Sequence, residues 1–473
     1  MVLKRKLPLL ALFVLSSAAS AETRKSGADQ RKEVSITVYN QNFGLVREVR
    51  DLELGTGTVE LEFRDVASLI QPETVSIKSL TNGSALSVLE QNYRFDLLTP
   101  AKLLEKHVGK KVRVWRWNEA LGKDEGFDAK ILSVAGGQPV MEVNGEITSD
   151  FPGRIAFPGV PDNLMSQPTL VWKLDSKSSK QAVEATYLTR NLNWRSDYVL
   201  VVNDSDTGGD LTGWVTLVNQ SGASYKKAKL KLVAGDVQRV SDYRSRDEGE
   251  DLDGAPAAAD KPRFAEESFF EYHLYTLSQP TDVLENEQKQ VTLLEAKGAK
   301  IDKKLIYYGQ QYWYRSQYGE VQKNQKVGVY LDLQNTKQNG LGMPLPKGTV
   351  RVYKADKSGA KQFIGEDHID HTPRDERVRV KMGDAFDVVG DRRQMEWRTL
   401  GSCSSESTWE IELRNHKDKA TRVEVYEPVG GEWTIVESTH KHQKKDAFTF
   451  TFDVEVPANG KTKVKYKVRV KWC

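Results

Sequence analysis

Cysteine is nearly absent: Cys403 and Cys473 are the only two in 473 residues, too few for a disulfide-built scaffold or a four-thiolate metal site. No stretch approaches the roughly 18 uninterrupted apolar residues of a membrane-spanning helix, so no helical anchor is expected. Neither sign of charge dominates, because 69 Lys and Arg stand against 66 Asp and Glu, and Lys4, Arg5 and Lys6 account for the difference. A chain balanced from residue 22 onward argues against a nucleic-acid partner, which calls for a basic surplus or patch. Catalytic signatures are missing as well. No Gly-x-Ser-x-Gly elbow, phosphate-cradling glycine loop or Cys-x-x-Cys pair occurs, which removes the hydrolase, nucleotide-binding and redox classes that are recognisable by motif. No fixed-period repeat is present, so a solenoid or propeller is not expected.

What is present begins with compartment. Lys4, Arg5 and Lys6 precede an apolar run over residues 7–15 and then Ala19-Ser20-Ala21, the order of a signal peptide with small residues at the cleavage site. Residues 1–21 are expected to be removed, with cleavage between Ala21 and Glu22. The mature chain is then periplasmic or, alternatively, secreted. In such a compartment Cys403 and Cys473 can form a disulfide across about seventy residues, or remain as two thiols; sequence spacing allows both.

Hydrophobic alternation makes nearly all of the chain β. Short β-branched runs at 34–39, 58–63 and 74–77, separated by Gly, Asn, Asp and Pro, open an expected N-terminal sandwich over 22–98. One helix is expected next: Thr99 caps it, Pro100 fills its first turn, Leu103 and Leu104 give an apolar face and Gly109 ends it. Strand-like runs at 111–117, 127–134, 140–143 and 154–157, with turns at Gly136-Gly137 and Asn144-Gly145, suggest a small SH3- or Sm-like barrel over 99–160. The sandwich resumes over 161–240, an acidic disordered loop is expected over 241–266, connecting strands over 267–300, and a C-terminal sandwich over 301–473. The fold class is therefore all-β, two Ig-like sandwiches with a small inserted barrel preceded by a short helix.

Three stretches stand out chemically. Asp367, His368, Asp370 and His371 are metal-ligand types at close spacing; on a strand His368 and Asp370 share a face, and a bend can add a third ligand. The alternative is a polar turn. Tyr307, Tyr308, Tyr312, Trp313, Tyr314 and Tyr318 form an aromatic stretch suited to stacking on sugars or to protein binding, or else to packing under a long connection. Over 461–472, Lys or Arg alternates with Thr, Val, Tyr and Trp, giving one basic face that can meet acidic glycans, oppose acidic residues on a neighbouring strand, or protect a sheet edge. Trp194, Tyr198 and Trp214 are expected in the core, and His273 at a core or interface position.

Several segments carry a resemblance. Tyr187-Leu-Thr-Arg-Asn-Leu-Asn-Trp194-Arg-Ser-Asp-Tyr198, Gly213-Trp214-Val-Thr-Leu-Val-Asn219 and Lys229-Leu-Lys-Leu-Val-Ala-Gly-Asp236 resemble the bacterial domain of unknown function 4139. Val38-Tyr39-Asn40, Leu45-Val46-Arg47, Pro168-Thr-Leu-Val-Trp172, Glu271-Tyr-His-Leu-Tyr-Thr276, Leu345-Pro-Lys-Gly348 and Phe363-Ile-Gly365 extend the likeness over most of the mature chain. The wider group includes mucoidy-inhibitor-like proteins, which implies an envelope or exopolysaccharide role; the coiled-coil insertion typical of those members is absent from this sequence. The resemblance carries over no catalytic residue.

The expectation is an exported, non-enzymatic β protein that binds an envelope polysaccharide or a protein partner, with no cofactor identified. The alternatives are a metal-dependent or carboxylate hydrolase of envelope glycan or peptide, and a self-assembling surface module. Convergent acids in a cleft favour the enzyme, an aromatic patch the binder, and an uncovered strand edge the assembly.

Overall fold

A computed structural model describes residues 22–161, 164–235, 237–239, 264–319 and 321–473. The leader expected over 1–21 lies outside these residues, as does the acidic loop up to residue 263. The last three loop residues behave differently from expectation: they open the strand Phe264–Phe269, where Phe264 is buried and pairs with Leu277. One apolar ring with a strand to pair against outweighs the charged composition of the preceding stretch.

The described chain is all-β, mostly antiparallel, with one α-helix of seven residues, Pro100–Lys106. The helix starts as its sequence dictates: the Thr99 side chain accepts a hydrogen bond from the Lys102 amide at 3.2 Å, and Pro100 needs no donor in the first turn. Strands assemble into sheets of four, five, eight and thirteen. The five-stranded sheet follows the helix and runs in the order Glu146–Thr148, Val140–Val143, Lys123–Ser133, Lys111–Asn118, Arg154–Ala156. It has its own small core of Val112, Val114, Ala129, Ile131 and Met141.

Two larger clusters organise the rest. In the first, Ile36, Val38 and Val46 of the eight-stranded sheet pack with Leu61, Phe63 and Trp172 of the four-stranded sheet and with Leu200, Val215 and Val352 of the thirteen-stranded sheet. The second gathers Trp409, Ile411, Val425, Phe452, Val464 and Tyr466. The stretch 301–473 contributes to both, since Leu331, Val350 and Val380 belong to the first cluster. Glu287–Tyr308 joins them physically: Leu293 and Ala299 lie in the first cluster, Leu305 and Tyr307 in the second.

Strand parity corrects one core assignment. Gly208–Asn219 turns Leu211, Val215 and Leu217 inward, so Trp214 falls on the opposite face and is only partly buried, whereas Trp194 and Tyr198 are core residues.

The C-terminal strand Gly460–Lys471 is not at an edge; Ser404–Asn415 pairs with it on one side and Glu432–Ser438 on the other. Its basic face is neutralised within the sheet. Lys463 and Lys465 reach Glu410 at 3.2 and 3.1 Å, and Arg469 reaches Glu406 at 3.0 Å. Cys473 bonds to Cys403 with Cα atoms 5.8 Å apart, tying the end of the strand to the turn that precedes Ser404. Replacing both cysteines by serine is expected to cost ~2–4 kcal/mol by relaxing a loop of this length in the unfolded chain, read as a lower urea midpoint with an otherwise native circular-dichroism spectrum.

Acid sensitivity follows from aspartates held in ion pairs. Burial alone pushes the Asp332 carboxyl up, but two hydrogen bonds from Arg379, at 2.7 and 2.8 Å, and the charges of Arg377 and Lys304 outweigh it and hold the carboxyl below its usual range. At Asp206 burial is likewise outweighed by Lys303 and Lys354. An unfolded aspartate titrates near about 4, and below that pH the unfolded chain takes up more protons than the native one. The stabilisation is therefore complete above about 4 and is lost as pH falls through the lower native values. Between pH 5 and pH 3 the wild type should lose more unfolding free energy than Asp332→Asn, in urea titrations at each pH.

Candidate binding surfaces

The four metal candidates do not converge. Lys361–Ile369 ends before Asp370, so the shared face expected for His368 and Asp370 is not formed. Both Asp367 oxygens are committed, Oδ1 to the His368 amide at 2.9 Å and Oδ2 to the Lys381 amide at 2.6 Å. His368 is exposed, its Nδ1 3.2 Å from Thr349 Oγ1. His371 turns away: its Nδ1 accepts from the Lys347 amide at 3.2 Å and its Nε2 lies 3.5 Å from Asn40 Nδ2. Among the described residues no group of three His, Cys, Asp or Glu side chains is placed to hold a metal ion.

The aromatic stretch divides between core and surface. Tyr307, Trp313 and Tyr314 are buried in the second cluster and Tyr318 packs against it, while Tyr308 and Tyr312 remain exposed. A 3-10 turn, Gln311–Tyr314, folds the rings inward, so no continuous six-ring platform exists. Burial pushes the Tyr307 hydroxyl up to about 12 despite Arg392 nearby.

Segments that carry the family likeness meet at one end of the first cluster. Tyr198 donates to the Pro346 carbonyl at 2.8 Å, Tyr275 to the Pro344 carbonyl at 2.9 Å and Trp194 to the Val233 carbonyl at 3.2 Å. The two tyrosine bonds pin the loop whose Lys347 amide holds His371, beside Asn40. His273 is not in the core; its ring lies at the surface, Nδ1 2.8 Å from Glu266. The segments thus form a structural junction in which two buried tyrosine hydroxyls and the Trp194 indole N–H bond backbone carbonyls.

A different surface has the chemistry of recognition. In Lys111–Asn118 the inward residues are Val112 and Val114, so Arg113, Trp115 and Trp117 share the outward face. Arg154 stands opposite Trp115 on the neighbouring edge strand, and Gly126 opposite it on the other side. With no side chain at Gly126, the Trp115 ring lies down on that strand; a Cβ there would come within 2.9 Å of Trp115 Cζ3 and 3.0 Å of Arg113 Nε. Two guanidiniums cover this ring, Arg113 at 4.8 Å and Arg154 at 5.4 Å from its centroid. Arg154 is also paired with Asp124 at 2.8 Å, whereas Arg113 has no carboxylate partner among the described residues. Trp117 is 59% exposed. The signal was present in the sequence as Arg113-Val-Trp-Arg-Trp117: the strand was expected, but reading its outward face required knowing that Val112 and Val114 point in and that Arg154 lies alongside.

Residues 183–473 match the model of the domain of unknown function DUF4139, and the chain belongs to that family. The likeness of the segments at 38–47 and 168–172 falls outside the matched region. No curated protein matches the chain. No helix among the described residues is long and apolar enough to cross a membrane.

Proposed function

We propose that this DUF4139 family member is an exported, non-enzymatic binding protein of the cell envelope, periplasmic in a Gram-negative cell, and that it takes an acidic polysaccharide on the Arg113, Trp115, Trp117 and Arg154 face. The observation that carries the reading is the pair of adjacent outward tryptophans, one covered by two arginines and the other exposed. A tryptophan face offers a large, rigid apolar surface for the C–H face of a sugar ring. An arginine stacked on an aromatic ring is held in place, so its in-plane donors meet a carboxylate with less loss of freedom than a mobile lysine. Export directed by residues 1–21 would deliver this face to the envelope. In finer architecture, we read the five-stranded sheet as a small SH3- or Sm-like barrel inserted into the first of two Ig-like sandwiches; its separate core supports an independently placed module.

The test is co-sedimentation of the mature chain, starting at Glu22, with an insoluble acidic envelope polysaccharide and with the same polymer after its carboxyl groups are reduced to alcohols. Retention on the acid form and loss on the reduced form is expected. Equal retention on both, or none on either, contradicts the proposal. Fractionation of cells expressing the tagged chain should place it in the envelope with Glu22 as its first residue.

A further inference from the structure

A groove of about 700 Å³ opens where two strands of the eight-stranded sheet part. Arg31–Tyr39 and Tyr225–Ala234 run parallel and are laddered from Ser35 opposite Lys229 to Tyr39 opposite Val233. Before Ser35 the ladder stops. Lys227 takes a left-handed conformation at φ 52°, and the start of its strand pairs instead with Thr281–Val283, Tyr225 opposite Val283 and Ala228 opposite Thr281. The first residues of Arg31–Tyr39 keep a strand partner on one side only, Phe43–Glu53. Along the other side lies the groove, with Lys32, Glu33 and Val34 on one wall and Ser224, Lys226 and Lys227 on the other.

Side chains hold the slot at both ends. Arg31 Nη1 donates to the Ser224 carbonyl at 3.4 Å, and Lys229 Nζ lies 3.3 Å from Glu33. Arg31 itself is fixed from beneath by Glu48, at 2.9 and 3.1 Å, and by the Asp65 carbonyl at 3.2 Å. Three of the groove's acids are already engaged: Asp65 accepts from the Ala28 amide at 2.7 Å, Glu285 from the Gly222 amide at 2.8 Å, and Glu33 is paired with Arg47 at 2.8 Å as well as with Lys229. The fourth acid of the lining is Asp29, and the Lys227 amide donates to Asp282 Oδ1 at 2.7 Å; the side chains of Lys226 and Lys227 form no ion pair among the described residues, so this wall carries two unpaired cations.

We infer that this groove binds an extended acidic polypeptide segment, which adds as a strand beside Arg31–Val34 with its carboxylates toward Lys226 and Lys227. Strand backbone that lacks one neighbour supplies main-chain hydrogen bonds to an added strand, and the lysine lip selects its charge. This inference stands apart from the glycan reading.

The probe is a blocked hexapeptide of alternating valine and glutamate, titrated calorimetrically into the mature chain, with a second peptide of the same sequence whose alternate backbone amides are N-methylated. Binding of the first peptide, slowed amide exchange at residues 32–34 and loss of binding by the N-methylated form are expected. The double variant Lys226→Glu with Lys227→Glu, with an unchanged circular-dichroism spectrum, should bind at least about tenfold more weakly, or about 1.4 kcal/mol. Equal binding of the N-methylated peptide, equal binding by the charge-reversed variant, or no binding of the first peptide up to about 1 mM overturns the inference.

Discussion

Glu427→Ala is expected to destabilise the protein by about 3–5 kcal/mol, the cost of leaving a buried charge without its partner. Glu427 and Arg392 are essentially solvent-free, at 0% and 1% side-chain exposure, and Arg392 Nη2 lies 2.6 Å from Glu427 Oε1. Oε2 accepts from Arg392 Nη1 at 2.7 Å and from the Tyr314 hydroxyl at 2.6 Å, and that hydroxyl is 2.7 Å from Tyr466 Oη. Arg392 also lies over the rings of Trp313 and Tyr307, at 4.6 and 5.1 Å. Burial favours the neutral guanidine, but Glu427, Tyr466 and Tyr307 outweigh it and hold Arg392 firmly charged. Alanine at 427 therefore strands a cation in an apolar core. The double variant Arg392→Met with Glu427→Leu should recover most of the loss, because no charge is then buried. Urea unfolding measures both; a wild-type midpoint for Glu427→Ala contradicts the assignment.

A loss of the same order, ~3–5 kcal/mol, is expected for Glu48→Ala in the first cluster. Glu48 stands between two arginines, accepting from Arg31 Nε at 2.9 Å and Arg50 Nη2 at 2.8 Å, and from the Tyr187 hydroxyl at 3.2 Å. Arg50 is fully buried and lies 3.5 Å over the Phe63 ring. Without the carboxylate, the fully buried Arg50 guanidinium loses the one carboxylate it is paired with among the described residues and is left facing that of Arg31. Glu48→Gln keeps the shape and an acceptor but not the charge, so equal loss in both variants assigns the effect to the charge, whereas a much smaller loss for Glu48→Gln assigns it to packing and hydrogen bonding. Because the two ion clusters lie in separate cores, the single losses should add within about 0.5 kcal/mol in the double alanine variant.

Local rules made much of this architecture readable. Thr99 and Pro100 marked the helix start, and valine alternation marked the strand from Lys111. What could not be read was long-range. Glu287–Tyr308 and Arg377–Gly401 run 22 and 25 residues, well beyond the usual strand, because extra residues at Leu293 and Met382, where the register with the neighbouring strand shifts, let them bend from one core into the other. Alternation slips at each shift, so the sequence shows short runs where the sheet has one strand. The aromatic stretch was ambiguous for a similar reason: Tyr314 is buried because Glu427, 113 residues away, offers an acceptor. Asp367 and His371 share a short segment yet face different neighbours, which spacing alone does not reveal. The basic alternation near the C-terminus was clear, but its meaning depended on Glu406 and Glu410 in the adjacent strand.

The central claim, recognition of an acidic glycan by the tryptophan and arginine face, is tested most directly by calorimetric titration of a defined uronic-acid oligosaccharide into the mature chain and into Trp117→Ala and Arg113→Ser, each with its circular-dichroism spectrum compared with wild type. The account predicts saturable binding by wild type, a neutral oligosaccharide of equal length that does not bind, and at least about tenfold weaker binding in each variant with the fold intact. Binding that is unchanged in both variants, or wild-type heat no larger for the acidic than for the neutral sugar, would contradict it.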